Sequence, residues 1–110
     1  MARFNIGGVP EHFNLPWHLC IEDGTFESKN LTVYWKDFPG GTGAMCQALR
    51  NKEIDIAIVL TEGAIYDIAQ GNNSKIISWY VTSPLIWGIH TAASSKIESE
   101  EDMEGCKYAI

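Results

Sequence analysis

The sequence predicts an α/β lobe with a mostly parallel sheet and helices on both of its faces. Three observations carry this. Short β-branched or aromatic runs alternate with short helical patterns along the chain. Residues 54–60, Ile-Asp-Ile-Ala-Ile-Val-Leu, form an apolar run of strand length, as in a parallel strand covered on both faces. Loops containing glycine or proline stand at residues 8–16, 38–43 and 61–63, each between a strand pattern and a helix pattern.

The elements follow in order. Phe4, Asn5, Ile6 and Gly7 make a short strand ending in Gly-Gly. Residues 9–16 read as a loop bracketed by Pro10 and Pro16, and Pro16 suits the first turn of a helix, where its missing N–H costs nothing. Trp17, Leu19, Cys20 and Ile21 give that helix an apolar face, and Asp23-Gly24 stops it. Residues 31–35, Leu-Thr-Val-Tyr-Trp, read as the second strand, broken by Pro39-Gly40-Gly41-Thr42-Gly43. Ala44, Met45, Ala48 and Leu49 share one helix face. After the 54–60 strand, residues 64–69 predict a short helix closed by Gly71-Asn72-Asn73. Residues 75–82 and 85–91 then read as two strands separated by Ser83-Pro84, and residues 107–110 as the start of another. The expected division is a first lobe over 1–93 and a connector with the first crossover strand over 94–110.

Composition narrows the function classes. The 110 residues are 45% hydrophobic and 20% charged, the balance of a soluble single domain. With 14 acidic against 8 basic residues the net charge is −6, and the cations are scattered, which argues against a nucleic-acid surface. No window approaches the ~20 apolar residues of a membrane span, so no membrane insertion is expected. No signal peptide precedes the first strand, which implies a cytoplasmic protein, or a periplasmic one if a leader has been removed. Cys20, Cys46 and Cys106 form no CxxC pair and fit reduced thiols; Cys20 and Cys46 fall on apparent core-facing helix positions, where a thiol is inert. The three histidines and three cysteines lack structural-zinc spacing, so neither a metal nor a cofactor is expected.

Several motifs in order resemble a known family. Glu22-Asp23-Gly24-Thr25-Phe26 matches an "x-x-G-x-F" signature before the second strand. Ala48-Leu49-Arg50, followed by Ile54-Asp55-Ile56-Ala57, matches "A-L-x-x-G-x-I-D-I-A", with Lys52 or Glu53 where the family has glycine. Glu101-Asp102-Met103-Glu104-Gly105-Cys106-Lys107-Tyr108-Ala109 looks like "D-L-x-G-K-x-I-A". The sequence resembles the N-terminal lobe of type II periplasmic-binding-like proteins, in the branch that takes up sulfonates, taurine, nitrate and thiamine-pyrimidine precursors. The resemblance implies a solute-binding protein of the ABC-transporter substrate-binding type. Its ligand would lie in a cleft at the strand C-terminal ends, and the second lobe of the same longer chain would follow Ile110. It also implies two alternatives on the same fold: a thiamine-pyrimidine-synthase-like enzyme, or an interaction module that has lost its ligand. The enzymatic relative needs a Lys and a His after the third strand, and Val59-Leu60-Thr61-Glu62-Gly63 has neither. No complete catalytic set is present in these residues.

Ligands of open α/β sheets bind at the carboxyl ends of the strands, so the three breaks should converge on one rim. Gly40, Gly41, Thr42 and Gly43 precede a helix, and N–H groups there suit a carboxylate, sulfonate or phosphate; the other reading is a tight turn capped by Thr42. Thr61 either caps the next helix or touches the ligand, and Glu62 either faces an amine or ring N–H or favours the helix dipole from outside. His12 and Phe13 could sandwich a flat heterocycle, or Phe13 could pack the loop onto the sheet with Trp17. His18 reads as a surface residue and His90 as a sheet residue. The expected partner is a small polar or aromatic molecule.

Overall fold

The structure, a computed structural model, describes residues 1–84 and 86–109. The chain divides into two units, Met1–Tyr80 and Val81–Ile110.

In the first unit, strands β1 (Ala2–Gly8), β2 (Leu31–Asp37) and β3 (Ile56–Ala57) form a sheet of order β2-β1-β3. Both pairings are parallel. Ala2 lies opposite Leu31 and Gly8 opposite Asp37, while Ile6 and Gly7 lie opposite Ile56 and Ala57. The alternating pattern therefore gives the parallel sheet that it predicts. The helices are α1 (Leu15–Glu22), α2 (Thr25–Ser28), α3 (Gly41–Arg50) and α4 (Thr61–Ala69), with a 3-10 turn at His12–Asn14.

The last two residues of β1 show how helices come to cover both faces. Successive strand residues point to opposite sides. A Cβ on Gly7 would lie 2.7 Å from the Phe38 ring and 2.9 Å from Ile54 Cδ1. Phe38 and Ile54 belong to the buried cluster with Met45 and Ala48 of α3. A Cβ on Gly8 would instead run into the Trp35 ring, with Cζ2 2.7 Å away and Asn14 Nδ2 2.9 Å away. Trp35 stacks on Trp17 of α1 at 5.9 Å, and Trp17 stacks on Phe26 of α2 at 5.8 Å. So α3 packs the Gly7 face and α1 with α2 the Gly8 face.

Local chemistry sets the helix ends. Gly24 takes φ +76 and ends α1, and the Asp23 carboxylate accepts the Thr25 N–H at 2.9 Å, which opens α2. Gly71, at φ +103, ends α4. At the end of α3 the Lys52 N–H donates to the Leu49 carbonyl and the Glu53 N–H to the Ala48 carbonyl, the paired bonds of a Schellman cap. Lys52 occupies the left-handed position at φ +58, where glycine is the unstrained residue. It is therefore Lys52 that stands at the glycine of the "A-L-x-x-G" motif. Replacing it should relieve about 1 kcal/mol of strain, set against roughly 0.5 kcal/mol of added unfolded-chain freedom. Lys52→Gly is expected to raise the urea midpoint by a small, measurable margin.

The structure corrects several expectations. Residues 75–82 form no strand, and among the described residues of 85–91 and 107–110 there is none either; Leu85 and Ile110 lie outside the described residues. Their β-branched composition suits a strand, but a strand exists only through a hydrogen-bonded neighbour, and these residues pair with none. His90 is consequently an exposed residue off the sheet. The 54–60 strand shrinks to the two residues that pair with β1. Helix α3 begins at Gly41 and α4 at Thr61, each three residues earlier than its apolar face suggests, because a first turn needs no apolar residues. The short helix α2 was not expected. Cys20 is only half-buried, while His18 is half-buried with its ring edge-on to Trp35 at 5.3 Å.

In the second unit Glu100–Met103 forms a 3-10 turn. The Asp102 carboxylate accepts the Glu98 N–H at 3.0 Å and the Ser99 N–H at 3.2 Å. These bonds hold its pKa below the ordinary carboxylate value. Their contribution is therefore present at neutral pH and is lost as pH falls through that lowered value.

Candidate ligand-binding site

Three parallel strands deliver three loops to one edge of the sheet. The loop after β1 is a tight fold. The Glu11 N–H donates to the Val9 carbonyl at 2.8 Å, the Asn14 N–H to the Glu11 carbonyl at 3.0 Å, and Asn14 Nδ2 to the Val9 carbonyl at 2.8 Å. Asn14 is 1% exposed, and its Oδ1 has no partner among the described residues. The loop after β2 is tied to the first by Phe38, whose N–H donates to the Gly8 carbonyl at 2.8 Å. Phe38 is buried in a cluster against which Val9 and Val59 also pack, so residues from all three strand ends meet at one core cluster.

The second and third loops are clasped directly. Thr42 Oγ1 accepts the Leu60 N–H at 3.2 Å, and a Cβ on Gly63 would sit 2.5 Å from Thr42 Cγ2. Glycine at 63 therefore lets the first turns of α3 and α4 come together. Neither helix start has a side-chain cap: the cap positions are Gly40 and Leu60. This corrects the capping readings of both Thr42 and Thr61. Thr42 spends its oxygen on the neighbouring loop, and Thr61 is an exposed first residue of α4. The opening N–H groups of a helix carry partial positive charge and need acceptors. Two such uncapped ends lie side by side at this rim.

The remaining predicted residues fall around them. Gly41 is half-buried at φ +77, while Gly40 and Gly43 are exposed; a Cβ on Gly43 would meet open space. Glu62 is an exposed acid in the first turn of α4. His12 is exposed and meets half-buried Phe13 edge-on at 5.6 Å. Among the described residues no hydrogen bond or ring contact joins His12 and Phe13 to Thr42, Thr61 or Glu62. The rim thus has two parts, one aromatic and one of helix ends, bridged by half-buried Val9 and buried Phe38.

Sequence reading missed Asn14, Phe38 and Tyr80 at this rim. The Tyr80 phenol donates to the Phe13 carbonyl at 2.5 Å, and its ring lies 6.2 Å from that of Trp17. Asn14 left a trace in the sequence as a turn-favouring residue just before a helix, and Phe38 as the first residue of the 38–43 break; Tyr80 left none.

Away from the rim, an open concavity of about 560 Å³ lies at the C-terminal ends of α3 and α4, lined by Arg50, Lys52, Asp67, Gln70 and Asn72 among others. Asp67 there accepts from Arg50 and from Asn72. All three cysteines are free. Burial, reinforced by the Asp67 charge and opposed by Arg50, pushes the Cys46 thiol up, which makes it less reactive.

Comparison with known proteins bears on the fold. No family model matches the chain, and no curated protein matches it. A solved structure does: the Candida albicans CA3427 gene product, described as defining a new family of proteins exhibiting the generic periplasmic binding protein structural fold. It is 35% identical over a match covering 66% of this chain and 24% of that one, with a TM-score of 0.60. The chain thus spans about a quarter of the solved chain it matches, and it has the architecture of a partial periplasmic-binding-protein-like lobe.

Proposed function

We propose that this chain is one lobe of a two-lobed small-molecule-binding protein of the ABC-transporter substrate-binding type. The carrying observation is the pair of uncapped helix starts, α3 and α4, drawn together at the sheet's carboxyl edge by Thr42. Their N–H groups suit an anionic group, a sulfonate, nitrate or carboxylate, at the point where such sheets bind ligands. His12 and Phe13 on the neighbouring loop supply an aromatic wall for the rest of the molecule. Residues 94–110 serve as the connector toward a second lobe, which closes the cleft by hinge motion. The sulfonate, taurine, nitrate and thiamine-precursor branch supplies the first ligands to test.

The test is a melting series of the purified protein with taurine, sodium nitrate, cytosine and an amino-acid mixture. At a hundredfold excess over Kd a ligand adds about 2.7 kcal/mol, a rise of several degrees. Thr42→Val keeps the shape but leaves the Leu60 N–H without its acceptor. It is expected to cost about 1 kcal/mol of stability and to weaken binding of the responding compound roughly tenfold, since ~1.4 kcal/mol corresponds to that factor. No rise with any member of the panel would overturn the reading.

A further inference from the structure

Tyr80 is the last residue of the first unit, yet its phenol reaches back in a hydrogen bond to the loop after β1. The phenol donates to the Phe13 carbonyl, inside the turn that carries His12 and Phe13. The same ring lies against Trp17, whose buried indole N–H makes no hydrogen bond of good geometry among the described residues. That indole still sits close enough to oppose the upward pull of burial on the phenol. Trp17 in turn stacks on Trp35, which covers Gly8 at the end of β1. An aromatic stack thus runs from the central strand to Tyr80, and the phenol at its end grips the rim turn.

We propose that Tyr80 is a strap: it pins the His12–Asn14 turn to the point where the chain leaves the first unit, so that a pull on residues beyond Val81 is felt first at the rim. A hydrogen bond is short-ranged and directional, so a small displacement of Tyr80 breaks it while the aromatic packing persists. Besides the phenol, the turn is held by three backbone bonds and by the buried Asn14 with its amide bond, so the strap acts chiefly on its His12–Phe13 side. The use of the strap in ligand capture rests on the binding reading above; the strap itself does not.

Amide hydrogen exchange on the intact chain separates the two. The reporter amides are Glu11, Asn14 and Leu15, which donate within the turn. The reference amides are Phe38 and Ile58, which donate to the Gly8 and Gly7 carbonyls of β1. Tyr80→Phe keeps the ring and deletes the donor. It is expected to speed exchange at the reporters roughly five- to tenfold and to leave the references unchanged. Trp17→Phe keeps the phenol bond and should leave the reporters within about twofold of the parent. Equal acceleration at all five amides, no acceleration at the reporters, or a Trp17→Phe effect as large as that of Tyr80→Phe would each overturn the strap. None of these outcomes depends on finding a ligand.

Discussion

Gly8→Val is expected to destabilise the protein by about 3 kcal/mol or more, enough to lower the melting temperature by roughly 10–20 °C. The valine Cβ would enter the Trp35 ring and press on the Asn14 amide. Neither neighbour can retreat. Trp35 is stacked on Trp17 and donates its Nε1 proton to Asp37 Oδ1 at 2.8 Å. Asn14 is fully buried and bonded to the Val9 carbonyl. The strain therefore falls on β1 itself or on the loop after it. Gly8→Ala, with a single methyl, should show the same direction at smaller size. Circular-dichroism melting of the two variants checks both; a Gly8→Val protein that melts with the parent would mean that Trp35 does not lie over β1.

Met45→Ala should cost about 3 kcal/mol through the opposite fault, a cavity. Met45 is 1% exposed, at the centre of the cluster with Phe38, Ala48 and Ile54. That cluster joins α3 to the sheet and holds Phe38 beneath the rim, so the damage should reach past stability. Phe38 donates its N–H to the Gly8 carbonyl, the tie between the first two loops. Urea unfolding gives the loss directly, and Met45→Leu, which nearly conserves volume, should recover most of it. A Met45→Ala midpoint equal to that of the parent would place the core elsewhere.

Much of this was legible in the sequence because it is local. The strands at Phe4–Gly7 and 31–35, the Pro16 entry to α1, the stops at Gly24 and Gly71 and the apolar face of α3 each depend on a few neighbouring residues. What was not legible depends on distant ones. Nothing near Thr42 says that its oxygen serves Leu60, and nothing near Gly8 says that Trp35 will lie over it. The glycines at 40–43 read as a break because their helix propensity is low, yet Gly41 and Gly43 lie in the first turn of α3. Residues 75–82 have strand composition and no strand, because composition supplies the side chains and not the neighbouring edge. The parallel order of the sheet could be read from alternation alone; the two-part rim required knowing which loops touch.

The place of β1 has a kinetic consequence. It is the first of the three strands in the chain and the middle one in the sheet, so neither of its edges can be satisfied by a hairpin. Ala2 must find Leu31 across α1 and α2, and Ile6 must find Ile56 across those two helices, β2 and α3. Closing the longer span adds little equilibrium cost, since loop entropy grows only logarithmically with length. The rate is more sensitive, because such pairings must form before they reward the search. The shorter closure, β1 with β2, is expected to form before the longer one to β3, which brings Thr42 and Leu60 together. Pulsed hydrogen exchange at Phe38 and Ile58, which donate to β1 from the two sides, would read that order.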